Sequence, residues 1–245
     1  MDVYSLLWSL VMSDIITNYG YIEKNLEELK REIDGIAKSL GVKTPTLVAV
    51  TKSGTDEELI ALAAAGAADI GENRPGELKR RGELLRSAGF TPTLHEIGTL
   101  QRNKIKLIID KVALIHSIDN IRLATDVDRL AGNIGRCVDV LLEVNSANEE
   151  NKSGISPDEC EALLLAVREL EHINVRGLMT MGPPLDDPEG LRPYFRETKR
   201  LFDKLHAAYG FGDEPILSMG MSDSYRVAIE EGSTLVRVGR RLFRK

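Results

Sequence analysis

The chain alternates eight times between a short apolar run and a longer amphipathic stretch, and this alternation limits the folds that it can adopt. Short runs rich in valine, isoleucine and leucine are typical of strands buried on both faces, which pair in parallel sheets covered by helices. The predicted strands are Leu47–Thr51, Asp69–Glu72, Thr93–Gly98, Leu114–Ile118, Asp139–Asn145, Val175–Thr180, Ile216–Met219 and Leu235–Val238. The predicted helices between them include Asp56–Ala65, Glu77–Ser87, Gln101–Asp110, Ile121–Ala131, Pro157–Leu170, Leu191–Ala208 and Ser222–Glu231.

Such an alternating α/β chain has two main solutions, an open doubly wound sheet and a closed (β/α)8 TIM barrel. A count of eight strands favours closure, and 245 residues is the usual size of such a barrel. A Gly-x-Gly-x-x-Gly turn does not follow the first strand, which weakens the dinucleotide-binding alternative. We therefore predict a single-domain α/β barrel.

An additional helix is predicted before the first strand. Its apolar positions recur at three- and four-residue spacings: Ile22, Leu26, Leu29, Ile33, Ile36 and Leu40. Gly41 is the expected C-cap. The apolar stretch Val3–Met12 lacks a basic flank and is too short to cross a bilayer, so residues 1–20 are predicted to be an N-terminal extension, either a tail or a short packing helix. Residues 21–245 form the predicted barrel domain, because no linker rich in proline, glycine or serine divides them.

Charge and cysteine content argue against several classes of function. The net charge of −6 and the pI near 5.4 disfavour a nucleic-acid surface and attraction to anionic membranes. Cys137 and Cys160 are too far apart for a metal knuckle or a redox pair, and we expect both to be reduced and buried, as in a cytoplasmic protein. No cluster of histidine, cysteine and carboxylate residues has the spacing of metal ligands, so no metal site is predicted.

Lys52 stands at the tip of the first strand, directly before the loop Ser53-Gly54-Thr55. Apolar surroundings at a buried strand end would lower the pKa of a lysine and supply the neutral amine that Schiff-base chemistry requires. A solvated lysine at a strand end is the plain alternative, and this segment alone does not decide between them.

The carboxyl ends of barrel strands meet at one face, where the active sites of such barrels lie. Polar and small residues are concentrated at these positions in the sequence. They are Lys52, Glu72, Asn73, His95, Gly98, His116, Ser117, Asn145, Met179, Thr180, Ser218–Ser222, Arg237 and Gly239.

The segments after strands seven and eight have the features of an anion site. Gly220, Met221 and Ser222 lead into the predicted helix, so backbone N–H groups, a hydroxyl and a helix dipole could face one anion. Gly239 would let a second loop approach without a Cβ in the way. A simple helix cap by Ser222 is the alternative, although a cap and an anion site are compatible.

Arg237 alternates with Val236 and Val238 and is expected to point into the barrel. A buried guanidinium needs acceptors because it does not lose its proton, so either a carboxylate such as Glu72 or a ligand should bond to it. The roles of two further residues stay open. His116 could be a core histidine with satisfied hydrogen bonds, and Lys152 could be a second anion contact after strand five.

A lysine on strand one, a phosphate cradle after strands seven and eight, and an arginine between them suggest pyridoxal 5′-phosphate. From Ile22 to Phe243 the chain resembles the pyridoxal-phosphate homeostasis proteins, relatives of the N-terminal barrel of alanine racemase. The segments that carry the resemblance are Ala49–Lys52, Gly71–Asn73, His95–Lys104, Lys152–Ile155, Gly177–Met181, Leu217–Asp223 and Glu231–Gly239.

The resemblance implies a fold type III pyridoxal-phosphate protein with the cofactor bound covalently to Lys52. It also implies a set of cofactor contacts. Met221, Ser222 and Gly239 would hold the phosphate, Arg237 would face the pyridine nitrogen, Asn73 would lie near the ring, and His95 is a further predicted contact. The chain departs from the family pattern at four places: Leu94, Glu96, Thr99 and Arg74–Gly76.

Three functions are compatible with these features: a protein that binds and delivers pyridoxal phosphate, a pyridoxal-phosphate-dependent amino-acid racemase, and a phosphosugar aldolase without the cofactor. An arginine at the pyridine nitrogen makes the ring a weaker electron sink, which disfavours most catalysis. Racemases of this fold add a C-terminal β domain with a tyrosine, whereas this chain ends soon after strand eight and Tyr225 is the nearest tyrosine. We therefore expect a cytoplasmic monomer that maintains pyridoxal phosphate, with pyridoxal-phosphate-requiring apoenzymes as partners.

Overall fold

The computed structural model describes Ile15 and residues 17–149 and 153–245, and in it eight parallel strands close into a barrel in sequence order. The strands are β1 (Thr46–Val50), β2 (Asp69–Glu72), β3 (Thr93–Glu96), β4 (Leu114–Ile118), β5 (Val138–Glu143), β6 (Ile173–Met179), β7 (Ile216–Ser218) and β8 (Leu235–Val238). The predicted closed barrel is therefore confirmed. The N-terminal stretch Val3–Met12 and the proposed anion contact Lys152 lie outside the described residues.

Helices alternate with the strands on the outside of the barrel. They are α1 (Gly20–Leu40), α2 (Asp56–Ala64), α3 (Pro75–Ser87), α4 (Ile121–Gly132), α5 (Cys160–Arg168), α6 (Arg192–Tyr209) and α7 (Tyr225–Glu230), with 3₁₀ helices at Arg102–Leu107 and Pro188–Leu191. Most of the apolar core lies between these helices and the strands, as the near-continuous apolar strand sequences predict.

Inside the barrel, alternate strand residues form a small apolar layer. Its members are Val48, Leu114, Leu141, Met179 and Leu235. Arg237 shares the inward face of β8 with Leu235, two residues away, so the predicted orientation of this arginine is confirmed. Side chains fill the interior of such barrels, and a cavity opens at the carboxyl end of this one.

Helix α1 covers the place where β8 pairs with β1 and closes the barrel. Its buried residues pack with side chains of α2, α7, β8 and the C-terminal segment, including Leu62, Ile229, Val236 and Leu242. Gly41 ends α1 with a φ of 68°, as the predicted C-cap requires. At the C-terminal segment, Asn25 Nδ2 donates to the carbonyl of Leu242 at 3.1 Å.

The structure corrects three predictions of local structure. The region predicted as the helix Gln101–Asp110 contains only the 3₁₀ helix Arg102–Leu107, whose N-cap Gln101 makes no capping bond through its side chain. Helix α7 begins at Tyr225 rather than at Ser222, because a turn at Met221 precedes it. Cys160 is buried, whereas Cys137 is exposed after α4.

Within the residues that the structure describes, no helix is long and apolar enough to cross a membrane. The same part of the chain contains no group of histidine, cysteine and carboxylate side chains that could hold a metal ion.

Candidate functional site

A cavity of about 710 Å³ opens at the carboxyl ends of the strands. It brings together every predicted cofactor contact except His95: Lys52, Asn73, Met221, Ser222, Arg237 and Gly239. These residues come from segments far apart in the sequence, and the barrel closure places them around one space. The position agrees with the site expected for this fold.

Lys52 lies on a turn directly after β1, where the N–H of Gly54 donates to the carbonyl of Thr51 at 2.9 Å. Its side chain is exposed at the cavity wall, so the apolar environment predicted for this amine is not what the structure shows. The next helix starts at once: Thr55 caps α2, and Thr55 and Glu58 form a reciprocal capping box. The lysine is thus accessible, but its backbone is held at both ends.

A buried ion pair supports this turn from outside the barrel. Arg81 of α3 donates to the carbonyls of Thr51 and Gly54, the latter at 2.8 Å, and also to the Glu72 carboxylate at 2.8 Å. Glu72 therefore pairs with Arg81. Glu72 was one of the two partners predicted for Arg237, the other being a ligand, and that pairing is not present. Arg81 itself was not predicted, because it lies on a helix and away from the strand ends.

Arg237 lies at the floor of the cavity and is only 4% exposed. Its guanidinium donates to Ser218 Oγ and, at 3.0 Å, to the carbonyl of Thr180. Burial lowers the pKa of Arg237 to about 10, although the nearby Glu143 carboxylate opposes the change. The group therefore stays protonated at neutral pH and is a fixed hydrogen-bond donor.

Glu143, at the end of β5, is a cavity residue that was likewise not predicted from the sequence. Burial and the charge of Asp119 raise its pKa to about 7, while Arg237 acts in the opposite direction. Perturbed carboxyls in clefts are common at functional sites. The sequence signal was its place as the last residue of an apolar strand.

The turns after β7 and β8 meet at the predicted anion site. The N–H of Gly239 faces Ser222 Oγ at 3.3 Å, and the Ser222 side chain is almost buried. A Cβ at Gly239 would lie 2.8 Å from the carbonyl oxygen of Val50, so only glycine fits. Because α7 has six residues and starts after this turn, the anion contacts available here are N–H groups and a hydroxyl more than a helix dipole.

Asn73 lines the cavity beside the turn that follows β3. A Cβ at Gly98 would lie only 2.3 Å from the carbonyl oxygen of Asn73, so a glycine is required where these two segments touch. The tight contact fixes the backbone of Asn73 next to the ligand space.

His95 does not line the cavity. Its ring lies inside the barrel, with Nε2 3.0 Å from Asp69 Oδ1 and Nδ1 3.1 Å from His116 Nε2. The expected contact between His95 and a cofactor is therefore not supported by its position. Sequence alone places His95 near a strand end, but the stagger of the barrel puts its side chain one layer lower.

One part of the cavity wall is apolar and comes from the segment after β6. Its side chains are Met181, Pro183, Pro184, Leu185, Pro188 and Leu191. Met181 and Leu185 are more than 40% exposed. The site thus has polar residues, among them Lys52 and Arg237, and an apolar part of the wall.

The chain is a (β/α)8 barrel with an accessible lysine after β1 and a buried arginine on β8. Its residues 24–244 match the family model described as the alanine racemase N-terminal domain, which gives the class of this barrel. The chain is 39% identical over 222 residues, 89% of its length and 96% of the relative's, to the pyridoxal phosphate homeostasis protein of Aquifex aeolicus. It belongs to the family of pyridoxal phosphate homeostasis proteins.

Solved structures agree with this assignment. A protein of unknown function from Bifidobacterium adolescentis superposes with a TM-score of 0.85 at 34% identity, covering 93% of this chain and 96% of that one. PipY of Synechococcus elongatus, solved with pyridoxal phosphate bound, gives a TM-score of 0.79 at 28% identity over 91% of this chain and all of its own. Alanine racemase of Corynebacterium glutamicum (TM-score 0.69, 18% identity) shares the fold, and the match spans 92% of this chain and 61% of the racemase.

Proposed function

We propose that this chain binds pyridoxal 5′-phosphate in the cavity and serves pyridoxal-phosphate homeostasis by holding and delivering it, without robust catalytic turnover. The observation that carries the proposal is the meeting of Lys52, Arg237 and the Ser222–Gly239 turns in one cavity. Relatives named for this function and the ligand-bound PipY structure support it.

The donor set of the cavity suits this ligand. The Gly239 N–H donates to Ser222 Oγ, so the Ser222 hydroxyl can donate its own proton to a phosphate, and position 239 excludes any larger side chain. Lys52 offers an accessible amine for covalent attachment, and Arg237 offers a permanent donor to a ring acceptor. The apolar wall can pack against a ring face.

When bound, pyridoxal phosphate supplies an aldehyde that condenses with amines and a ring that withdraws electrons. The residues of this chain restrict the chemistry available in the cavity. Arg237 would donate a hydrogen bond to a ring nitrogen without transferring its proton, so it favours the unprotonated ring. Tyr225 bonds to Glu32 and Arg241 on the helical side of the barrel, so it is not placed to move protons in the cavity.

The test is an absorption spectrum of purified protein incubated with pyridoxal phosphate, followed by borohydride reduction and mass analysis of peptides. We expect a yellow band and a reduced adduct on the peptide that contains Lys52. Lys52→Ala should lose both, whereas Lys43→Ala, which changes an exposed lysine outside the cavity, should keep both. A colourless wild-type protein would overturn the proposal and favour the aldolase alternative, and an adduct elsewhere would overturn covalent binding at Lys52.

A racemase is the second candidate, and Glu143 is the observation in its favour. A carboxyl with a pKa near 7 inside the cavity could move a proton at the Cα of an amino acid. We expect no enzymatic exchange of Cα protons in deuterated water with L- or D-alanine. Rapid exchange that is lost in Glu143→Gln would establish the racemase instead.

Location and partners are part of the proposal. The net charge of −6 and the exposed amine suit a cytoplasmic monomer that passes its ligand to pyridoxal-phosphate-requiring apoenzymes, without nucleic-acid or membrane partners. Sedimentation velocity of the loaded protein tests the monomer. Activation of an apoenzyme by loaded protein, compared with an equal amount of free pyridoxal phosphate, tests the delivery.

A further inference from the structure

A line of polar side chains crosses the interior of the barrel from the cavity floor toward the opposite end. Arg237 bonds to Ser218 Oγ, Ser218 Oγ lies 3.1 Å from His116 Nδ1, and His116 Nε2 lies 3.1 Å from His95 Nδ1. His95 Nε2 then lies 3.0 Å from Asp69 Oδ1 at the first residue of β2. The five residues belong to five different strands, β8, β7, β4, β3 and β2.

The line is buried along its length, with Arg237 at the cavity floor at one end and Asp69 as its most exposed member at the other. His116 and Ser218 are fully buried, and His95 and Arg237 are each 4% exposed. The Asp69 side chain is 22% exposed at the amino end of β2. Buried polar atoms must be hydrogen-bonded, so every one of these contacts needs a donor and an acceptor in the correct order.

The order of donors and acceptors follows from the two ends of the line, an arginine that only donates and a carboxylate that only accepts. A guanidinium only donates, so Ser218 Oγ must accept from Arg237. The buried hydroxyl proton of Ser218 also needs an acceptor, and within the described residues that acceptor is His116 Nδ1, which then carries no proton. His116 therefore holds its proton on Nε2 and donates it to His95 Nδ1.

The same logic fixes the last contact. With Nδ1 of His95 accepting, the ring carries its proton on Nε2 and donates it to the Asp69 carboxylate. All contacts are satisfied when both rings are neutral and carry the proton on Nε2. An added proton on either ring would leave one donor of the line without an acceptor. Burial, together with the positive charge of Arg237, holds the pKa of His116 well below its ordinary value.

The line is not a path for protons. Arginine keeps its proton, so transfer would stop at Arg237. We propose that Asp69, His95, His116 and Ser218 are positioning residues, forming a hydrogen-bond chain of one polarity that fixes Ser218 Oγ as an acceptor and so holds the Arg237 guanidinium at the cavity floor. Its effect on cofactor affinity rests on the proposed function, whereas the polarity of the chain does not.

The first test is ¹⁵N NMR of the ligand-free protein labelled at its four histidines. Near neutral pH we expect His95 and His116 to be neutral, with the proton on Nε2 in both. A proton on Nδ1 of either ring, or an imidazolium, would overturn the chain. This result does not depend on whether pyridoxal phosphate binds, so it separates failure of the chain from failure of the proposed function.

The second test breaks the chain far from the cavity. Asp69→Leu removes the terminal acceptor, whereas Asp69→Asn keeps an acceptor oxygen. We expect Asp69→Leu to shift the tautomer signals of both rings in the ligand-free protein and to weaken pyridoxal-phosphate binding about tenfold, and Asp69→Asn to restore most of both. Asp69 is partly exposed, so its replacement is a milder change than one at His116.

His172→Leu is the matched control, because this histidine is partly exposed beside Asp128 and outside the chain. It should alter neither the tautomers nor the affinity. Unchanged tautomers in Asp69→Leu, or equal loss of affinity in Asp69→Leu and His172→Leu, would overturn the positioning role.

Discussion

Arg81 lies outside the cavity, yet it bonds to the carbonyls on both sides of the turn that carries Lys52. Its partner Glu72 is 1% exposed, so the pair is buried. Removing one member of a buried ion pair leaves the other charge without compensation, which is strongly destabilising. The turn and the stability of the barrel therefore depend on the same guanidinium.

We predict that Arg81→Met lowers the free energy of unfolding by about 3–5 kcal/mol. Arg81→Lys should recover only part of this loss, because an ammonium group cannot reach all three acceptors in the geometry of the fork. Urea denaturation followed by circular dichroism measures both. Arg86→Met, at an exposed position of α3, should change stability by less than about 0.5 kcal/mol, and a similar loss in both methionine variants would contradict the assignment.

Glu96 is fully buried, and its Oε2 has no hydrogen-bond partner among the residues that the structure describes. Burial raises its pKa from an ordinary value of 4.5 to about 8, although the N–H of Gly98 bonds to the carboxylate and opposes the change. Between pH 4.5 and 8 the folded protein holds a proton that the unfolded chain has lost, so this group makes stability fall as pH rises through that window.

We predict that Glu96→Gln removes the part of the pH dependence of stability that comes from this carboxyl group. We expect the variant to equal the native protein below about pH 4.5 and to be more stable by about 2–4 kcal/mol above pH 8. Urea denaturation across this pH range checks the prediction, with Glu83→Gln on the exposed side of α3 as the control. A stability difference that stays constant with pH would show that Glu96 does not titrate in this window.

At the scale of single residues, the sequence predicted those positions that come at the ends of strands. Lys52, Asn73, Ser222, Arg237 and Gly239 all line the cavity. Arg81 and Glu143 were missed because their roles depend on contacts made across the fold. Which layer a side chain such as His95 occupies depends on the strand stagger, and no local pattern encodes it.

Strands were predicted more accurately than helix ends, and β2, β4 and β8 match their predicted ranges. A strand buried on both faces leaves a continuous apolar run, which has clear limits. The ends of short helices depend on caps and turns instead: Ser224 and not Ser222 precedes α7, and residues 102–107 form only a 3₁₀ helix. Local hydrogen bonds determine where a helix begins and whether it is an α-helix or a 3₁₀ helix. The periodicity of apolar residues does not distinguish these possibilities.

Strand β6 contains a glycine that the barrel requires. Gly177 has a φ of 146°, and a Cβ there would lie 2.0 Å from the carbonyl oxygen of Ile216 on β7. It also lies where the register between β5 and β6 shifts. This glycine lets β6 bend while keeping its pairing on both sides.

We predict that Gly177→Ala destabilises the protein by about 3 kcal/mol or more, because the methyl group forces β6 and β7 apart. Gly76→Ala is a matched control on α3, since nothing lies within 4 Å of its added Cβ. It should be neutral or stabilise by up to about 1 kcal/mol. Thermal unfolding compares the two, and equal effects would refute the steric explanation.

On the scale of the whole molecule, the count of eight alternating units was sufficient to predict closure, and the barrel is closed in sequence order. The sequence did not predict that helix α1 covers the contact between β8 and β1. The apolar face of α1 lies over the β8–β1 contact, so its stabilising effect belongs to the whole barrel and not to one helix. Periodicity identifies such a face, but not the partner that it packs against.

Leu29 of α1 is fully buried in this contact. We predict that Leu29→Ala lowers the free energy of unfolding by about 2–5 kcal/mol and keeps a single transition. Circular dichroism and tyrosine fluorescence should report the same midpoint. Early loss of helix with an unchanged main transition would show that α1 is an independent appendage.

The exposed position of Lys52 has a consequence for how a ligand leaves. The Lys52 side chain is exposed on a turn at the cavity wall, so an amine from solution can reach a ligand held there. We expect the residence time of the cargo to depend on the surrounding amine concentration. On the proposed function, the composition of the surrounding solution would then determine when the ligand is released.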